Sequence, residues 1–255
     1  MARIGGSRHL KALAAPAWWP IKRKEFKWTV KPSPGPHPIE RSLPLLIVVR
    51  DLLGYAKTSR EARKLIAEGH FKVDGVVRKD YKFPIGPMDV LEIPKTGEAY
   101  RVLPAPTTFL TLHPISREEA RLKIVRIEDK STVRGGHIQL HLHDGRNILV
   151  RVSDPRRPAE GALYETRASL LITIPEQEIK SYVPLREGAI AIVIGGRLVG
   201  RVGVVKSIQW SAWKKARSIV TLEDARGQSF QTILEYIMVI GSDKPLISLP
   251  EGVWR

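Results

Sequence analysis

The stretch Thr58 to Arg78, TSREARKLIAEGHFKVDGVVR, fixes two elements of structure with almost no spare residue. Thr58 is a good N-cap and Glu61 stands three residues on, the reciprocal arrangement that satisfies free N–H groups at a helix start, so a helix begins at Ser59. Ala62, Leu65 and Ile66 share one face at helical spacing, while Arg60, Arg63 and Lys64 fall elsewhere, leaving one side to pack and the other to meet phosphate. Gly69 ends the helix as a left-handed cap. Phe71-Lys72-Val73 and Val76-Val77-Arg78 then flank Asp74-Gly75, the dipeptide suited to a two-residue type I′ turn, so the chain doubles back into a hairpin.

Elsewhere, 19 prolines and 20 glycines divide the 255 residues into short elements, and no convincing helix is expected beyond about residue 125. The fold class expected is therefore α+β and multidomain, with most of the chain in strands. A net charge of +16 marks a polyanionic partner: nucleic acid, an anionic membrane surface or an acidic protein. Purely apolar runs such as Leu45 to Val49 are far short of a bilayer span, so no membrane partner is expected. Pro16, Trp18, Trp19 and Pro20 stand where a signal peptide needs an apolar core, and proline also breaks the amphipathic helix of a transit segment; a cytoplasmic chain is expected. With no cysteine, disulfides, thiolate catalysis and the usual zinc fingers are excluded.

Residues 1–42 carry nine Lys or Arg against two acids, with alternating prolines at 32, 34, 36 and 38. Such a segment has too little apolar surface to fold alone and is expected to order on a partner; Trp18, Trp19, Phe26 and Trp28 argue against the competing reading of a plain solubilising tail. Residues 43–105 form a first compact domain, with a helix from Pro44 to Leu53 packed on the capped one and a strand at Asp89 to Ile93. Residues 106–183 form a middle β domain whose strands begin near Phe109. In it His137 to His143 alternates and turns at Asp144-Gly145 into Asn147 to Val152, with Ile138, Leu140 and Leu142 on one face and His137, Gln139, His141 and His143 on the other. That histidine face is read as solvent or RNA contact in preference to a metal site. Residues 184–241 form a last β unit, and 242–255 a tail. Gly195 to Gly200 fails as a phosphate loop, since Arg201 and Val202 stand where Lys and Ser or Thr are required; the glycines punctuate strands of a small barrel. Arg197 and Arg201 in that loop favour RNA over a bare structural barrel. In Gln209 to Arg217, two tryptophans beside Lys214, Lys215 and Arg217 make a stacking and phosphate-contact platform, with Trp213 exposed and Trp210 open to either a core or a base-stacking role.

Several ordered motifs resemble the archaeal and eukaryotic small-subunit ribosomal protein family S4e over essentially the whole chain: Arg8-His-Leu-Lys11 with Ala14-Ala-Pro16, Gly35-Pro-His37, Leu43-Pro-Leu45, Asp74-Gly75 with Val77-Arg78, Gly86-Pro-Met-Asp-Val90, Lys95-Thr-Gly-Glu98, Gly195-Gly196 through Gly203-Val204, and Ile247-Ser-Leu-Pro250. The resemblance implies an S4-type RNA-binding domain, a central β domain and a KOW-type, SH3-like β barrel whose glycines are Gly196, Gly200 and Gly203. The stop at Arg255, without the longer basic tail of eukaryotic members, leans toward an archaeal chain. The function expected is a structural constituent of the small subunit, with small-subunit rRNA and neighbouring ribosomal proteins as partners. No catalysis, cofactor, metal, small-molecule substrate or homo-oligomer is expected. RNA contacts are expected from Arg3, Arg8, His9, Lys11, Trp19, Lys22, Arg23, Lys24, Lys27 and His37 in the arm. In the first domain they are expected from Thr58, Ser59, Arg60, Arg63, Lys64, His70, Lys72, Arg78, Lys79 and Lys82. Arg197, Arg201, Trp213, Lys214, Lys215 and Arg217 complete the set. An RNA-modifying enzyme built on an S4-type domain and a dissociable KOW-containing transcription or translation factor are the rivals; the residues after 105 offer neither a large catalytic domain nor an acid–base pair, Asp144 and Asp224 reading as ordinary loop acids.

Overall fold

A computed structural model describes residues 6–153, 161, 163–211 and 218–250. Strands dominate and helix is confined to short stretches. After Pro44 the chain enters helix α1, Leu45–Ile47, which continues as a π-type turn over Val48–Leu52 and is followed by Gly54 at φ +70°. Leu45 to Val49 are buried without exception, as a helix apolar on every side must be. Helix α2, Ser59–Ala67, starts with the expected reciprocal cap: Glu61 N–H donates to Thr58 Oγ1 at 3.3 Å while the Glu61 carboxylate accepts from Thr58 N–H at 3.2 Å. Ala62 and Ile66 face the core, and Arg60, Arg63 and Lys64 face solvent.

The first sheet contains β1 (Lys72–Val73), β2 (Val76–Val77), β3 (Val90–Ile93), β4 (Glu98–Ala105) and β5 (Phe109–Pro114), antiparallel in the order β2-β1-β3-β4-β5. Asp74 at φ +52° and Gly75 at φ +75° turn β1 into β2, as a type I′ hairpin requires. Phe109–Pro114, expected to open the middle domain, pairs instead along β4 from Ala105↔Phe109 to Tyr100↔Pro114. The second sheet is built on β6 (Leu122–Thr132), whose first half pairs with β9 (Ser169–Thr173) and second half with β7 (Ile138–Leu142), the exchange of partners occurring at a bulge between Ile127 and Asp129. With β8 (Asn147–Val150) and β10 (Ile179–Val183) its order is β8-β7-β6-β9-β10. The third sheet holds β11 (Ile190–Val193), β12 (Val202–Gln209), β13 (Ile219–Glu223), β14 (Ser229–Ile233) and β15 (Ile237–Gly241) in the order β14-β13-β12-β11-β15.

The three sheets share a core. Met88, Leu103, Ile124, Ile190, Met238 and Ile247 lie in one buried cluster that draws on all of them. Polar side chains span the same junctions: Arg126 of β6 donates to the Glu235 and Ile237 carbonyls at 2.7 and 2.6 Å, and Arg101 of β4 bonds Glu119 at 2.6 Å, whose carboxylate also accepts from Ser248.

The arm departs from expectation. Trp19 is 3% exposed in the core of the first unit beside Ala15, and Trp18 stacks on Phe109 of β5 with ring centroids 4.8 Å apart. Leu10–Lys11 pairs with Trp28–Thr29, and Arg23 donates to the carbonyls of Ala12, Ala15 and Pro16. Two adjacent indoles bury enough apolar area to anchor a segment that is otherwise polar. The RNA contacts expected of Trp19 and Arg23 are accordingly corrected: the indole is buried, and the guanidinium is engaged by the arm's own backbone. Among the described residues no helix is long and apolar enough to cross a membrane.

Candidate nucleic-acid interface

Folding the arm onto the first unit creates a cleft of about 1670 Å³ between them. Its walls carry eight Lys or Arg (Arg8, Lys22, Lys27, Lys31, Arg50, Lys57, Arg63 and Lys82) against two acids, Glu25 and Asp51. Both acids are matched locally, Glu25 by Lys22 at 3.0 Å and Asp51 by Arg50 at 2.8 Å. The remaining six cations have no carboxylate within 4.0 Å among the described residues, so the cleft is strongly electropositive. Three of them lie over aromatic rings: the Arg63 guanidinium 4.6 Å and the Lys82 ammonium 5.6 Å from the Tyr81 ring centroid, and the Lys27 ammonium 5.6 Å from that of Trp28, a favourable placement of a cation on a ring face. Arg50 also donates to Ser59 Oγ at 2.6 Å, tying the end of α1 to the start of α2.

Of the residues expected to touch RNA, Arg8, His9, Lys22, Lys27, Thr58, Ser59, Arg63 and Lys82 line this cleft. Lys11, Lys24, Arg60, Lys64 and Lys79 are exposed outside it. His70 bonds Glu68 at 2.8 Å and lies 3.2 Å from the Lys95 ammonium; Lys72 is half-buried in β1, and Arg78 rests over Phe83 at 4.4 Å. Arg197 and Arg201 are exposed beside the third sheet, Arg201 lying 5.6 Å from the Phe230 ring. Trp210 is 56% exposed, which removes the core reading. Arg3, Trp213, Lys214, Lys215 and Arg217 lie outside the described residues.

His37 is a second correction. Its Nε2–H donates to both Asp89 carboxylate oxygens at 3.0 Å, and both side chains are 2% exposed. They belong to a buried ion cluster that the sequence did not disclose. The fully buried Lys123 ammonium of β6 lies 2.7 Å from Asp74, 2.6 Å from Asp89 and 2.9 Å from Asp144. Arg146 adds contacts to Asp74 at 2.7 Å and Asp144 at 3.2 Å. Burial alone pushes the Asp89 and Asp144 carboxyls up, but His37 and Lys123 at Asp89, and Lys123, His143 and Arg146 at Asp144, hold both below the usual carboxylate range. Burial likewise lowers the Lys123 ammonium's affinity for its proton, and the three aspartates raise it above the ordinary lysine value. Both Asp-Gly hairpin turns thus supply a carboxylate to one lysine, and Asp144 is no ordinary loop acid.

The histidine face of β7 is also divided by packing. His141 bonds Ser131 at 2.8 Å and Asn147 at 2.7 Å, whereas His143 is half-buried, its Nδ1 accepting from Arg126 N–H at 3.2 Å and its Nε2 lying 3.4 Å from the Pro87 carbonyl. Burial pushes the His143 imidazole down to about 4. Both of its ring nitrogens are engaged within the fold, and no metal-binding cluster occurs among the described residues.

The chain matches three family models: the RS4NT domain over residues 4–40, the S4 domain over 43–91 and ribosomal family S4e over 96–179. It is 67% identical to small ribosomal subunit protein eS4 of Aeropyrum pernix and 64% identical to that of Hyperthermus butylicus, each comparison covering 100% of both chains. The crystal structure of the 30S ribosomal protein S4e from Thermoplasma acidophilum superposes with a TM-score of 0.65 at 29% identity, covering 79% of this chain and 96% of that one. On identity across its full length and on the models matched in succession along it, the chain belongs to the ribosomal S4e family.

Proposed function

We propose that this protein is a structural constituent of the small ribosomal subunit that binds rRNA without carrying out chemistry. The electropositive cleft carries the reading: eight cations converge there, six with no carboxylate within 4.0 Å among the described residues, which is what neutralising a phosphate backbone requires. The exposed Arg60, Arg63 and Lys64 of α2 extend that surface. The third sheet is read as a KOW-type barrel offering a second RNA surface at Arg197 and Arg201, supported by Gly196 and Gly200 at φ +76° and +82° and by Gly203 packed against the Glu223 backbone. Two modest sites on one chain raise overall avidity. Neighbouring subunit proteins and a cytoplasmic, ribosome-bound location follow from the same reading.

Gradient sedimentation of cell lysate at about 0.1 M salt, repeated at high salt because phosphate contacts weaken with counterion concentration, tests it. Co-migration with small subunits is expected in both. A mainly free pool at low salt, or no preference of the purified chain for small-subunit rRNA over unrelated RNA, would overturn it.

A further inference from the structure

Resting on the RNA-binding reading above, we propose that the arm–helix cleft receives an unpaired stretch of RNA, with one base stacked on the Trp28 indole, and does not clasp a duplex. Trp28 and Phe26, both on the cleft wall, are 53% and 65% exposed. Large apolar side chains grouped on a concave wall and left in water mark a contact surface. The two neighbouring tryptophans show the contrast: Trp19 is buried and Trp18 is stacked on Phe109. Trp28 is held but not covered. Its backbone pairs with Lys11, His9 meets it at a tilted 57° with centroids 5.7 Å apart, and the Lys27 ammonium lies 5.6 Å from its ring centre. No described ring lies parallel to it, so a flat aromatic can still stack there.

The wall supplied by the first unit carries Lys57, Arg63 and Lys82, positioned for the phosphates of the strand whose base Trp28 takes. At about 1670 Å³ the cleft exceeds the roughly 300–1,000 Å³ of a small-molecule site and suits a polymer segment. A duplex presents phosphates but keeps its base faces stacked on one another, and so cannot use the indole.

The test uses the full chain and a fluorescent RNA of about 12 nucleotides, single-stranded or annealed to its complement, with binding followed by anisotropy across a salt series. The native protein binds the single strand more tightly. Trp28→Ala weakens single-strand binding about 5- to 150-fold, leaves the salt slope and duplex affinity unchanged, and Trp28→Tyr restores most of the loss. Equal binding by native protein and Trp28→Ala, or tighter binding of the duplex, overturns the proposal. So does displacement of the single strand by polyglutamate at matched charge with no dependence on Trp28, which would make the cleft a site for an acidic protein segment. If the native chain binds small-subunit rRNA but neither oligonucleotide, the cleft assignment alone falls; if rRNA binding is absent as well, the functional reading falls with it.

Discussion

Lys123→Met keeps the apolar stem of the side chain and removes the ammonium on which three buried aspartates converge. Those partners lie at 2.7, 2.6 and 2.9 Å, and their side chains are 8%, 2% and 1% exposed. In the variant Arg146 still faces Asp74 and Asp144, while Asp89 retains only His37 and the Gly86 N–H. Breaking a buried pair by deleting one partner costs about 3–5 kcal/mol, and with Arg146 in place the loss here should stay near about 4 kcal/mol. Each kcal/mol moves the midpoint of a chain this size by about 2–4 °C, so the thermal transition should fall by roughly 10 °C. The pH dependence also changes. In the native protein Asp89 and Asp144 are held below the usual carboxylate range, so their contribution is present at neutral pH and is lost as pH falls through their folded values. In the variant, burial without the ammonium raises carboxyl values above those of the unfolded chain. Folding then takes up protons at these carboxyls, and the stability gap between the native protein and the variant narrows as pH is lowered from about 7 to about 5. Urea unfolding at those two values, followed by circular dichroism, measures both effects. A loss under about 1 kcal/mol at neutral pH, or a gap between native protein and variant that does not narrow on acidification, would refute the assignment of Lys123 as the net stabiliser of this cluster.

Two further substitutions probe the same junction and the third sheet. Because burial pushes His143 down to about 4, the unfolded chain takes up a proton that the folded one refuses as pH falls from about 6.5 toward 4, costing at most about 3 kcal/mol. His143→Gln, whose amide oxygen can accept the Arg126 N–H, should flatten that window of the urea-midpoint curve; an unchanged curve would sink the idea. A Cβ on Gly200, at φ +82°, would sit 2.7 Å from Ala105 Cα, whereas one on Gly188, at φ +89°, meets nothing within 4 Å. Gly188→Ala should therefore cost only the roughly 1–2 kcal/mol of a left-handed side chain, and Gly200→Ala distinctly more; equal losses in thermal unfolding would contradict the close approach.

Features specified within a few residues were legible in the sequence. The Thr58–Glu61 cap, the left-handed Gly69 and the positive φ pair at Asp74-Gly75 depend on neighbours in the chain and formed as expected. The ion cluster was hidden because Lys123 stands 49 and 34 residues from Asp74 and Asp89, Arg146 stands 72 from Asp74, and the aspartates of the two Asp-Gly turns already had a sufficient local role. Lys123, set among Leu122, Ile124, Val125 and Ile127, was the one available signal: a charge inside an apolar run asks for a partner. The arm misled for the opposite reason. Its charge and prolines pointed to a segment without structure, whereas Trp18 and Trp19 decided the matter by packing on residues as distant as Phe109. The same tryptophans left the surface role to Trp28, which composition alone could not distinguish from them.

The shared core sets an order of events during synthesis. Met88, Leu103 and Ile124 share their burial with Met238 and Ile247, so a nascent chain released only as far as the second sheet would display an uncovered apolar seam. Contacts of such sequence separation form slowly, and unfinished sheets at a working concentration stick to one another. Docking of the third sheet therefore closes the seam, and until nearly the whole chain has emerged the molecule depends on chaperones, or on early capture by its binding partner, to stay out of aggregates.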